Sequence, residues 1–225
     1  MILSKKKRYL QIALNSSLDE AYVIIQTLPV SDRIIIEVGT PLIKEFGMDA
    51  IRNIYEWWAS RTVSYEIIPY VVADVKTMDR GEIEVRLAKE AGASAAICLG
   101  QAPVETINSF IQSCEKQGID SMVDMMNIEY PITVLRKLKR RPDVVLLHRG
   151  VDEEKFNKNK PIPYIQINKV LSSYNVMISI AGGDTIREVQ RAIFNGASIV
   201  VVWREFYHST GQTGKLAEEF LKEIK

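Results

Sequence analysis

Ile67-Ile68-Pro69-Tyr70-Val71-Val72-Ala73-Asp74-Val75-Lys76-Thr77-Met78-Asp79-Arg80-Gly81 carries an apolar run straight into two carboxylates and a lysine. The run over 67–75 is rich in β-branched residues and reads as a buried strand. Side chains alternate between the two faces of a strand, so Asp74 and Lys76 are expected on one face and Val75 on the other. Opposite charges at the mouth of a buried strand are costly to desolvate unless they pair with each other, a metal or a ligand. Chemistry at the end of a strand is the economical reason to keep them.

Working outward, short β-branched runs alternate with longer segments of helical period. Strands are predicted at 9–14, 33–38, 67–75, 95–99, 121–126, 144–148, 176–181 and 198–203. Helices are predicted at 19–27, 41–58, 81–91, 104–117, 131–140, 163–173, 185–195 and 214–224, with Gly92, Gly118 and Gly196 as C-caps. Uninterrupted apolar strands between helices imply a parallel sheet covered on both faces. Eight strand–helix units in 225 residues match the arithmetic of a closed (β/α)8 TIM barrel, which needs roughly 200–250 residues. The fold class is therefore α/β, with one barrel domain expected over 1–225. An open doubly wound sheet is the competitor. It would carry a glycine-rich nucleotide turn after the first strand, and Leu14-Asn15-Ser16-Ser17 is not one.

Composition narrows the partners. The formal net charge is +1, which gives no global attraction to nucleic acid or to a membrane surface. The block Lys5-Lys6-Lys7-Arg8 abuts the first strand and reads as solvated. No apolar stretch approaches the roughly 20 residues that span a bilayer, and the first residues lack the pattern of a secretory signal. Cys98 and Cys114 have no metal-ligand spacing. A reducing, cytoplasmic setting is expected.

In such a barrel the active site lies at the C-terminal strand ends. Those ends carry Asn15; Glu37 with Gly39-Thr40-Pro41; Asp74, Lys76 and Asp79; Asp124 and Asn127; His148-Arg149-Gly150 with Asp152; Ala181-Gly182-Gly183-Asp184; and Trp203-Arg204. Charged groups at the ends of so many strands suggest the wall of one pocket. Individually, Glu37 also fits a frayed surface position, Asp124 and Asp79 also fit caps, and His148 also fits a structural histidine. His208 falls in a polar loop and is expected to face solvent. The Gly182-Gly183 pair opening a helix would present backbone N–H groups to an anion. The loops after strands seven and eight are the usual phosphate site of these barrels, so a phosphorylated substrate is expected. The string Gly211-Gln212-Thr213-Gly214-Lys215 is not a P-loop, because Ser209 stands where glycine is needed and Leu216 follows the lysine.

Together these residues resemble the orotidine-monophosphate decarboxylase-like barrels, in the branch that holds 3-hexulose-6-phosphate synthases and 3-keto-L-gulonate-6-phosphate decarboxylases. The resemblance runs from about Leu10 to the C-terminus. It is carried by Asp74-x-Lys76-x-x-Asp79-x-Gly81, Ile36-Glu37-Val38-Gly39-Thr40-Pro41-Leu42, Val123-Asp124, His148-x-Gly150-x-Asp152 and Ala181-Gly182-Gly183. Asp124 and Ala181 are more similar to the synthases, since the decarboxylases typically have Glu and Thr there. The resemblance implies an aldol reaction joining formaldehyde to D-ribulose 5-phosphate, or its reversal. It further implies Mg2+ held by Glu37 and Asp74 across the sugar C2 and C3 oxygens, Lys76 as oxyanion stabiliser and His148 as general base and acid. Asn15, Asp124, Arg149, Gly182, Gly183, Trp203 and Arg204 would bind substrate. A homodimer follows by the same analogy, with Asp79 reaching the neighbouring subunit's site. A decarboxylase acting on a keto sugar-acid phosphate and a non-catalytic sugar-phosphate binder remain the alternatives. Two departures motivate them: Asn15 stands where the family usually has Asp, and Trp203 where it usually has Gly. The stretch over 52–70, with Tyr55, Trp57 and Trp58, also looks longer than usual.

Overall fold

A computed structural model describes residues 1–157, 161–182, 185–202 and 212–224. Eight strands close into a parallel barrel in chain order, β1 (Tyr9–Leu14), β2 (Ile34–Val38), β3 (Val71–Thr77), β4 (Ala95–Leu99), β5 (Asp120–Asp124), β6 (Val144–His148), β7 (Met177–Ala181) and β8 (Ile199–Val202). The ring closes where Tyr9 to Ile12 of β1 pair in parallel with Ile199 to Val202 of β8. The helices among the described residues are α1 (Leu18–Thr27), α2 (Thr40–Phe46), α3 (Met48–Thr62), α4 (Gly81–Glu90), α5 (Val104–Gln117), α6 (Pro131–Leu135), α7 (Val151–Phe156), α8 (Tyr164–Leu171), α9 (Ile186–Phe194) and α10 (Thr213–Glu223).

Strand periodicity sorts the core into two layers. Leu10, Ile12 and Leu14 of β1, or Ile34, Ile36 and Val38 of β2, pack outward against the helices. Their alternates Tyr9, Ala13, Ile35, Val72, Ile97, Met122, Leu146 and Val201 fill the barrel. The period of two thus decides which polar residues face the lumen.

The structure departs from the sequence reading in five places. Strand three begins at Val71 rather than 67, because Glu66 is left-handed (φ 55°) and Pro69 offers no backbone donor. It also continues to Thr77. The predicted helix 41–58 divides at Gly47, whose φ of 63° ends α2 and starts α3. Strand five stops at Asp124, whose Oδ1 accepts the Met126 N–H at 2.9 Å and turns the chain. The helix expected over 131–140 ends at Leu135, and α7 was not predicted at all.

The far end of the barrel is closed by a buried acid. The fully buried carboxylate of Asp120 accepts the Tyr70 hydroxyl at 2.8 Å and the Leu3 N–H at 3.0 Å, as well as the Ile2 N–H. Asp120→Ala would strand these donors. We expect it to cost about 3 kcal/mol of unfolding free energy, read as a lower urea midpoint with an unchanged m-value. A midpoint matching the parent protein would show that the plug adds nothing.

Candidate active site

Inward parity gathers the charged strand ends. Glu37 is next in register after Ile35, Asp74 after Val72, Asp124 after Met122 and His148 after Leu146, all toward the lumen. With Asn15, Lys76, Arg149 and Gly182, the side chains of Glu37, Asp74 and His148 line a cavity of about 530 Å3 at the C-terminal strand ends. Asp124 lies fully buried behind Lys76 and His148.

The centre is a chain of charges. Lys76 Nζ sits 3.0 Å from Asp74 Oδ2 and 3.3 Å from Asp124 Oδ2. The same Asp124 oxygen is 2.8 Å from His148 Nδ1. Asp74 is fixed from the other side by the Thr40 hydroxyl, 2.8 Å from its backbone oxygen and 2.9 Å from its carboxylate. Burial alone would lower the lysine pKa, but the charges of Asp74 and Asp124 outweigh it and hold the ammonium well above its ordinary range. Burial likewise raises Asp124, yet attraction to and a hydrogen bond from His148, with help from Lys76 and the Met126 N–H, bring its carboxyl below the usual value. The imidazole of His148 shows the counterpart: burial lowers its pKa, and Asp124 overrides that and raises it. The arrangement is a cation and an imidazole sharing one buried carboxylate.

Glu37 behaves differently. Burial first, then the charge of Asp74, pushes its carboxyl up to about 7, against the pull of Gln11, Lys76 and His148. The Gln11 amide donates to Glu37 Oε2. Two buried carboxylates crowded until one resists ionisation form a donor pair that a hard divalent cation would relieve. Among the described residues no group of three or more His, Cys, Asp and Glu is arranged for a metal.

The raised Glu37 pKa has a pH signature in protein stripped of divalent cations. The folded state holds this proton more tightly than the unfolded chain, so its stabilising effect is complete below pH 4.5 and is lost as pH rises through about 7. The loss is at most about 3 kcal/mol. Glu37→Gln should lose less stability than the parent between pH 5 and 8 in urea titrations. Parallel pH curves for the two proteins would refute this.

The other expected site residues divide. Asn15 lines the cavity and packs over Gly39, where an added Cβ would come 1.9 Å from Asn15 Oδ1. Arg149 also lines the cavity, yet its guanidinium donates to the Gly182 carbonyl at 2.7 Å and lies 3.3 Å from Glu154, tying the end of β6 to the turn after β7. Gly182 needs to be glycine there, with φ at 97° and a Cβ position 2.4 Å from the Arg149 carbonyl oxygen. The expected Asp79 is exposed and not at the cavity. Gly183, Trp203 and Arg204, like Asp184 and His208, lie outside the described residues. Two residues with site contacts had no role in the sequence reading. Gln11, a polar residue at an inward position of an apolar strand, was findable by parity. The reach of Thr40 back to Asp74 was not.

The sequence pattern of the Orotidine 5'-phosphate decarboxylase / HUMPS family matches residues 8–218. The chain is 38% identical over 217 residues to the bifunctional enzyme Fae/Hps of Methanocaldococcus jannaschii, covering 96% of this chain and 52% of that protein. It thus spans about half the length of that relative. Its fold is similar to the crystal structure of 3-hexulose-6-phosphate synthase from Salmonella typhimurium, with a TM-score of 0.80, 28% identity and coverage of 96% of this chain and 100% of the other. The barrel is also shared with 3-keto-L-gulonate-6-phosphate decarboxylase from Vibrio cholerae, at a TM-score of 0.72, 21% identity and coverage of 97% and 99%.

Proposed function

The chain belongs to the orotidine 5'-phosphate decarboxylase / HUMPS family, and from that premise we propose that it is a hexulose-6-phosphate synthase-type aldolase. It joins formaldehyde to D-ribulose 5-phosphate, or cleaves the hexulose 6-phosphate product. The observation that carries this reading is the Asp74–Lys76–Asp124–His148 network at the wall of one cavity. The synthase identity of the solved structure at 28% identity supports the choice within the family.

His148 removes a proton from C1 of the ketose, which leaves an enediolate, and returns that proton to the formaldehyde oxygen as the new C–C bond forms. Asp124 keeps Nδ1 of the imidazole engaged, so Nε2 is left to face the substrate. Lys76, held cationic between two carboxylates, stabilises the oxyanion that develops. Glu37 and Asp74 would hold Mg2+, which supplies Lewis-acid polarisation of the sugar oxygens. Asn15 contacts the sugar, and the turn at Gly182, braced by Arg149, seats the phosphate together with Gly183, Trp203 and Arg204. Asp79, exposed on its own chain, completes the site of a second copy in a homodimer. No helix among the described residues is long and apolar enough to cross a membrane, and the cytoplasm is the proposed setting.

The direct test is formaldehyde consumption with D-ribulose 5-phosphate. We expect it to require a divalent cation and to stop with EDTA. CO2 release from a keto sugar-acid phosphate, without formaldehyde chemistry, would assign the chain to the decarboxylases instead. Stabilisation by ribulose 5-phosphate with no turnover would make it a binder.

A further inference from the structure

Lys76 is held in a backbone conformation that lysine does not choose. Its φ is 47°, in the left-handed region where a Cβ crowds the backbone. The sheet register shows why: Ala73 pairs with Ala96 of β4, but the next pair is Thr77 with Cys98. Four steps along β3 match two along β4, so two extra residues are pushed out of the ladder. Strain of this kind persists only where the surroundings over-determine it. Upstream, Thr40 holds the backbone oxygen of Asp74. Downstream, the fully buried Thr77 donates its hydroxyl to Glu84 Oε2, and its carbonyl accepts the Cys98 thiol at 3.2 Å.

Glu84 belongs to α4, which starts in close contact with its neighbour. A Cβ on Gly81 would meet Phe110 of α5 at 2.9–3.0 Å, so the start of α4 is pressed against its neighbour. The Thr77–Glu84 bond therefore ties the bulge to a closely packed helix. It also brackets the turn that carries Asp79 and a further left-handed residue, Arg80 (φ 55°). Glu84 does not line the cavity.

We propose that Glu84, acting through Thr77, is a positioning residue that sets the strained backbone at Lys76 and so aims the ammonium between Asp74 and Asp124. This rests on the reading that Lys76 serves turnover. Losing the tie lets the bulge relax toward ordinary strand geometry and moves the lysine, while the phosphate end of the cavity, after β7 and β8, is untouched. Function is then expected to fall in kcat rather than in KM.

The test compares Glu84→Ala, Glu84→Gln, Thr77→Val, Thr77→Ser and the control Lys76→Ala, with Mg2+ present. Glu84→Ala and Thr77→Val should each lower kcat by on the order of 10–100-fold with KM for ribulose 5-phosphate within about threefold. The double variant should be no worse than either single one, because both remove the same bond. Glu84→Gln and Thr77→Ser, which keep an acceptor and a donor, should restore most of the rate. Amide hydrogen exchange, which needs no turnover, should speed up over 76–79 in Glu84→Ala and not in Glu84→Gln. A Glu84→Ala protein that only melts earlier, with kcat and local exchange unchanged, overturns the proposal. If Lys76→Ala keeps full activity, the functional reading itself has failed, and the exchange result still judges the brace.

Discussion

Lys76→Ala should cut formaldehyde-dependent consumption of ribulose 5-phosphate by on the order of 10²–10³-fold or more, the effect of removing a preorganised group from a developing oxyanion. The ammonium is the only cation placed between the buried Asp74 and Asp124 among the ion pairs of the described residues. Without it, two carboxylates inside a low-dielectric pocket lose the ammonium they share, and Glu37, already at about 7 with Lys76 pulling it down, takes up its proton still more readily. Both the transition state and the carboxylate pair for the cation suffer. Lys76→Met keeps the apolar stem and loses only the charge, so it should resemble Lys76→Ala. Activity within threefold of the parent in both would exclude an electrostatic role.

Asp124→Asn should be nearly as damaging, by roughly 10²–10⁴-fold in kcat, because one buried carboxylate serves both Lys76 and His148. The amide oxygen can accept a hydrogen bond but carries no charge. Its NH2 group also faces the imidazole as a competing donor, which favours the wrong tautomer. With the Asp124 charge gone, burial and the nearby Lys76 lower the His148 pKa against only the weaker pull of Asp74. The limb of the pH–rate profile due to His148 should therefore move to lower pH. A variant with the parent's profile and rate would show that the imidazole works without its carboxylate.

How far the sequence speaks for itself varies along the chain. The barrel was legible because strand parity and helical period are local properties, and both survive in β1, β2, β4 and β6 with scarcely a shifted boundary. Glu37, Asp74, Asp124 and His148 were legible for the same reason: each is a polar residue at inward parity toward the C-terminal end of an apolar strand. Lys76 reaches the cavity, although not by simple alternation. Its left-handed φ and the bulge depend on Thr77, Glu84 and Cys98, which no pattern in 67–81 announces. Arg149 was expected to face substrate, and its engagement with Gly182 and Glu154 comes from contacts between separate loops. The break at Gly47 follows from its φ of 63°, and α7 buries none of its residues, so it has no apolar stripe for periodicity to find. The rise of Glu37 to about 7 depends on packing as well, since it needs Asp74 and Gln11 in place.

The most direct measurement is proton exchange at C1 of D-ribulose 5-phosphate in D2O, with Mg2+ and without formaldehyde, followed by NMR. Enediolate chemistry predicts that one C1 hydrogen washes out in the presence of the protein, and that Lys76→Ala or EDTA stops it. Retention of both hydrogens over many hours at high protein concentration, with the sugar phosphate bound, would contradict the mechanism.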